Sequence, residues 1–225
     1  MLNKYTTHET WQRYWNEGNA PLFKRAVDSV LRKLHFSQLV CKKTFVIGKQ
    51  LLSEEVNPVL VEAGCGEATL SLSLKEVYPE ARVILIDCSQ DVLIKIKMSP
   101  GIESMQADIS AIPLETESCD MCCNVGTIEH FDDPLPIIRE MKRISRKYIL
   151  CAVPAPSLIW KLSTLIRRIV ERDASLWTRN TFYYSESDLR KMFSETGLNN
   201  IHTTQQKLAG LPIINIVWGS KIAKL

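Results

Sequence analysis

No uninterrupted apolar run in this sequence is long enough to cross a bilayer, and its first residues, "MLNKYTTHETWQRYW", lack the basic start and apolar core of a secretory leader. These absences predict a soluble, cytoplasmic chain. Charge of one sign is also in short supply, since 28 Lys and Arg against 25 Asp and Glu leave a formal net charge of +3. The long basic surface required for non-specific binding to nucleic acid is therefore not expected. Internal repeats, low-complexity segments and a linker that would divide the chain are missing too. What remains is 225 residues, 45 % of them hydrophobic, enough for one well-cored domain with decorations.

The seven cysteines do not make a disulfide framework. Their number is odd, and Cys65, Cys88 and Cys151 sit inside or at the ends of apolar runs, as buried thiols do in reducing compartments. Cys119, Cys122 and Cys123 contain a C-x-x-C, half of a common zinc site. No second Cys/His pair with matching spacing follows, and "CDMCCNV" reads as a buried strand of small side chains. No metal is expected.

The periodicity orders the elements. Leu22, Phe23, Ala26, Val27, Val30, Leu31 and Leu34 fall at helical spacing, and Phe45 to Leu52 continues a helical layer up to Pro58. From there strands alternate with helices: "PVLVEA", "ATLSLSLKEVY", "RVILID", "QDVLIKIKM", "IESMQAD", a loop through Pro113, "DMCCNV", "PLPIIREMKRI" and "KYILCAV". Nearly continuous apolar strands separated by helices predict an α/β, doubly wound, mostly parallel sheet. The tail differs, because helix "SESDLRKMFSETG", with Ser185 and Asp188 as a capping pair and Gly197 as its stop, precedes two strands joined by "KLAGLP". So short a link makes those two strands antiparallel. The expected divisions of one domain, 1–225, are an N-terminal helical cap at 1–57, a core at 58–154, a helical lid at 155–184, and a closing helix and strand pair at 185–225. Within the lid, "APSLIWKLSTLIRRIVERDASLWTRNTFYY" carries an apolar helical face with Lys161, Arg167, Arg168 and Arg172 elsewhere.

The site begins at "VLVEAGCGEATL". Gly64 and Gly66 permit a tight turn after the first strand, where ligands of open α/β sheets settle. The dinucleotide fingerprint wants a third glycine at Thr69, and Glu62 would repel a pyrophosphate but suits a cationic amine. Asp87 ends the second strand, 21 residues past Gly66, where a carboxylate can take hydrogen bonds from ribose hydroxyls. Histidine beside such a crevice can remove a proton from a hydroxyl or enol, so Glu129 and His130 are candidates for catalysis or for orienting their loop.

Glu62-Ala63-Gly64-Cys65-Gly66 resembles the first motif of the class I S-adenosylmethionine-dependent methyltransferases, with Ala68 where many members have a third glycine. "QADISAIPL" is similar to their segment after the third strand, and "DMCCNVGTIEHFDDP" to the fourth-strand segment of the small-molecule branch that includes quinone-biosynthesis enzymes. The resemblance implies a seven-stranded Rossmann-like sheet and S-adenosyl-L-methionine as cofactor. It implies contacts from Glu62, Gly64, Cys65, Gly66, Asp87, Cys88, Asp108, Ile109, Asn124, Val125 and Gly126, with Glu62 at the methionine moiety and Asp108 and Ile109 at the adenine. Trp11, Tyr14 and Trp15 either cover the acceptor, as the N-terminal segment commonly does in that family, or anchor the first helix. "NVGT" replaces the Asn- or Asp-led proline motif of enzymes acting on nucleic-acid bases, which argues against DNA. The reading is methyl transfer to carbon or oxygen of a small or lipid-like molecule, with the 156–177 insertion as a lid that also suits a membrane surface. Protein or RNA methylation, an inactive cofactor-binding partner subunit and a nicotinamide-dependent oxidoreductase are the alternatives.

Overall fold

Apolar runs of five or six residues bounded by polar turns are too short to bury a helix and the right length for strands covered on both faces. The computed structural model describes residues 36–96, 99–158, 160 and 181–221, and in it these runs form the centre of one sheet. Strands β1 (Val59–Ala63), β2 (Arg82–Asp87), β3 (Ile102–Gln106), β4 (Cys119–Val125) and β5 (Ser145–Pro154) pair in parallel. Helices α1 (Phe36–Leu51), α2 (Thr69–Val77), α3 (Gln90–Lys95) and α4 (Leu135–Ile144) flank them. Helix α5 (Glu186–Glu195) then leads into β6 (Asn199–Leu208) and β7 (Leu211–Ser220).

The sheet order is β3-β2-β1-β4-β5-β7-β6, with β7 antiparallel to both of its neighbours. The chain winds outward from β1 to β3 and returns to β4 on the other side of β1, so the strand order reverses between β1 and β4. Ligands of such sheets bind at that reversal, outside the carboxyl ends of the strands. One face of the sheet packs on Ile47 of α1, Leu70 and Leu74 of α2 and Leu93 of α3. The other packs on Ile137, Ile138 and Met141 of α4 and Leu189 and Phe193 of α5.

The expected doubly wound architecture and reversed closing strand are both present. The helical stretch anticipated from Phe45 is already helical at Phe36, the first described residue, and α3 ends at Lys95 with Ile96 as its C-cap. The closing hairpin is also tighter than "KLAGLP" suggests. Its strands run to Leu208 and Leu211, and Ala209 (φ 48°) and Gly210 (φ 81°) alone make the turn. Positive φ at both central residues matches the right-handed strand twist, which lets pairing reach the tip. The helix anticipated over Leu22 to Leu34 lies outside the described residues.

The three β4 cysteines lie in the two cores, with Cys119 and Cys122 on one side of the sheet and Cys123 on the other. A register shift between Cys119 and Met121 produces this arrangement. Burial holds all three thiols protonated, as the core-strand reading requires. The helix-free link from β3 to β4 is held by α4 instead. Glu140 accepts the Ile112 N–H (3.0 Å), and Arg143 donates to the carbonyls of Ile112 and Leu114 (2.8 Å each).

Candidate active site

The turn after β1 is built by hydrogen bonds to its neighbours. Gly64 and Cys65 N–H groups both donate to the Ile86 carbonyl of β2 (2.7 and 2.9 Å), and Gly66 N–H donates to Asp87 Oδ2 (3.0 Å). On the other side Thr127, just past β4, donates its hydroxyl to the Gly64 carbonyl (2.9 Å). Gly64 has φ 71°, and a Cβ there would sit 2.6 Å from Thr127 Cγ2, so no other residue fits. Ala68, with φ 53° at the start of α2, takes a left-handed conformation that costs an L-residue roughly 1–2 kcal/mol. This is the position where the resembled family often has its third glycine.

Two carboxylates flank the turn in different states of use. Asp87 is 7 % exposed; its Oδ1 accepts the Ser89 N–H (2.9 Å) while Oδ2 holds Gly66. Ser89, at the N-cap position of α3, makes no side-chain capping bond, and its buried hydroxyl has no partner among the described residues. The charged oxygen at the end of β2 is the stronger acceptor and takes that N–H instead. Asp87 is therefore not released from capping, yet each of its oxygens keeps a second lone pair for a ribose hydroxyl. Glu62 is 2 % exposed, and its Oε2 accepts the Ser71 N–H (3.2 Å). Burial pushes its carboxyl up to about 7, partly offset by the Ser71 bond and reinforced by the nearby Asp87 charge.

The other expected residues line the same edge. Cys65 is buried and Cys88 half-buried; burial raises both thiols, Cys88 to about 12. Asp108 is exposed and its Oδ1 accepts both the N–H and the hydroxyl of Ser110 (2.8 Å each), closing a turn in front of buried Ile109. Asn124 is fully buried. Its amide donates to the Ala63 carbonyl (2.6 Å) and accepts the Ile128 N–H (3.2 Å), joining the end of β1 to the turn after β4. Val125 is half-buried, and Gly126 is exposed with φ 74°.

A short 3₁₀ turn, Ile128–His130, brings Glu129 and His130 beneath this edge, 2 % and 1 % exposed. Glu129 Oε1 and His130 Nε2 are 4.0 Å apart. Burial raises the Glu129 carboxyl to about 8. Trp11, Tyr14 and Trp15 lie outside the described residues, as does nearly all of the insertion; at its start Trp160 donates its indole N–H to the Ile213 carbonyl (2.6 Å). Sequence reasoning missed Thr127, Ser71, and the aromatic pair Phe182 and Tyr184 beside Glu129. Each contacts a residue 9 to 63 positions away, a separation with no periodic signal.

A sheet of this order with a reversed β7, and a glycine turn between two carboxylates at its carboxyl edge, define the Rossmann-like fold of the class I methyltransferases. Residues 61–150 match the profile of the family described as "Methyltransferase domain". A probable S-adenosylmethionine-dependent methyltransferase of Mycobacterium tuberculosis is 32 % identical over 101 residues, 44 % of this chain and 36 % of the relative. A chloroplastic 2-methyl-6-phytyl-1,4-hydroquinone methyltransferase of Oryza sativa is 33 % identical over 99 residues, 43 % of this chain and 28 % of the relative. The matched segment thus spans about a third of these relatives' length. Among solved structures, magnesium protoporphyrin IX methyltransferase of Synechocystis, with S-adenosylhomocysteine bound, superposes with a TM-score of 0.65 at 15 % identity, over 94 % of this chain and 93 % of that one.

Proposed function

We propose that this protein moves a methyl group from S-adenosyl-L-methionine to a carbon or oxygen of a small, apolar acceptor. The observation that carries the proposal is the convergence of Glu62, the Gly64–Gly66 turn and Asp87 at the point where the strand order reverses. The names of the similar proteins support the acceptor class, since a phytylated hydroquinone and a protoporphyrin are both ring compounds with largely apolar frameworks.

The cofactor, when bound, supplies an electrophilic methyl group on a sulfonium. The chain's residues position, exclude water and manage one proton. Glu62 faces the cationic amine and is driven by it to ionise. Asp87 takes the ribose hydroxyls, and Asp108 with the Ile109 backbone meets the adenine. Cys65, Cys88 and the 124–126 backbone complete the cofactor contacts. His130 removes the acceptor's proton where the nucleophile needs it. Trp11, Tyr14, Trp15 and the Pro156–Trp177 insertion close the acceptor side, and the basic amphipathic pattern of the insertion suits contact with a membrane surface holding an apolar substrate.

The test is to incubate the protein with S-adenosylmethionine and a panel of prenylated hydroquinones and phenols, following S-adenosylhomocysteine and product by mass spectrometry. Turnover is expected with an apolar ring acceptor, and His130→Ala slows it by about 10²- to 10⁴-fold while leaving S-adenosylhomocysteine binding intact. Turnover with RNA or a protein, and with no small molecule, would contradict this acceptor class.

A further inference from the structure

The turn that carries His130 also presents a buried acid. Glu129 Oε2 is buried and has no hydrogen-bond partner among the described residues, and Oε1 stands 4.0 Å from His130 Nε2, beyond a hydrogen bond. One exposed residue lies beside this acid. Gly126, exposed at the end of β4, has no side chain, and a Cβ built there would lie 3.6 Å from Glu129 Oε1. Thr127, the next residue, touches the Gly64 turn, so Gly126 adjoins the cofactor edge.

The far side of Glu129 is aromatic. Phe182 N–H donates to the Glu129 carbonyl (2.8 Å), and the rings of Phe182 and Tyr184 stack with centroids 6.4 Å apart at 18°. Tyr184 is fixed from two directions, by its hydroxyl to the Phe131 carbonyl (3.2 Å) and by Asn215 of β7 donating to its own carbonyl (2.8 Å). Phe182 remains 37 % exposed. A fixed, partly exposed aromatic wall beside a buried acid is suited to a flat ring that carries an oxygen.

Resting on the methyltransferase reading, we infer that Glu129 is the acceptor-recognition residue, its carboxylic acid donating a hydrogen bond to a carbonyl or phenolic oxygen of a planar acceptor ranged along Phe182 and Tyr184. The surroundings favour the neutral acid. Among the described residues, the ionisable groups around it are His130 on the same turn, Cys151 on β5, whose thiol burial keeps protonated, and Tyr184, whose phenol burial holds neutral. Burial lifts Glu129 to about 8, so the donor is present at neutral pH and is lost as pH rises through that value.

The experiment is calorimetry of 1-acetylnaphthalene, a planar ring with one carbonyl and no ionisable group, against protein saturated with S-adenosylhomocysteine. The expected pattern is a Kd weakened about tenfold or more by Glu129→Ala, kept within a few-fold by Glu129→Gln, which retains a donor, and weakened by Phe182→Ala. Binding to the unmodified protein should fade above about pH 8, with S-adenosylhomocysteine affinity unchanged in every variant. Equal affinities in the parent and Glu129→Ala, affinity that rises through pH 8, or no binding of the ring compound would overturn the inference. Failure of the unmodified protein to bind S-adenosylhomocysteine would instead remove the methyltransferase reading beneath it.

Discussion

Two acids at the strand ends do different work because their surroundings differ. Asp87 is anchored by two backbone N–H groups, whereas Glu62 has one and is buried, which lifts it to about 7. A cationic amine stabilises only the ionised form of Glu62, so binding it must expel the proton that Glu62 carries below its own pKa. S-adenosylmethionine binding at about pH 6 should therefore release close to one proton, read as a dependence of calorimetric heat on buffer ionisation enthalpy. The release should vanish in Glu62→Gln and shrink above about pH 8, and proton-neutral binding at pH 6 would contradict the role given to Glu62. The position of Glu62 was legible as a charge ahead of glycines, but its neutrality was not. Desolvation is set by α1 and α2 packing over it, which the local sequence does not encode. Asn124 shows the same limit: the motif located it, and only the fold reveals an amide engaged by Ala63 and Ile128.

At the scale of elements, legibility follows the locality of the forces. The capping box of α5 can be read from four residues, and the structure contains both halves of it: Ser185 Oγ accepts the Asp188 N–H (3.2 Å) and Asp188 Oδ2 accepts the Ser185 N–H (2.9 Å). Gly197, with φ 72°, ends the segment as its type suggests. Ser185→Ala should cost about 1 kcal/mol, a fall in Tm of roughly 2–4 °C by calorimetric unfolding, and Ser185→Asp should restore most of it. An unchanged Tm in Ser185→Ala would show that packing of Leu189 and Phe193 alone sets the helix. Where non-local groups decide, element ends were misjudged. Ser89 lost its capping role to the carboxylate of the preceding strand, and the hairpin tip was tightened by pairing across β6 and β7.

Across the whole molecule, the doubly wound sheet was legible because apolar strands and amphipathic helices alternate, and the reversed β7 because its link to β6 is too short for a crossover. The cluster of Gly126, Glu129, Phe182 and Tyr184 was not, since these residues meet only after folding. What the reversal point between β1 and β4 binds decides the function. Titration calorimetry of the purified chain, stripped of carried-over ligand, with S-adenosylhomocysteine and separately with NADH tests this most directly. The account predicts micromolar-range binding of S-adenosylhomocysteine, weakened about tenfold or more by Asp87→Ala through lost charge-assisted hydrogen bonds, and no binding of NADH. Binding of NADH by folded protein that ignores S-adenosylhomocysteine would contradict it and make the chain a nicotinamide-dependent oxidoreductase.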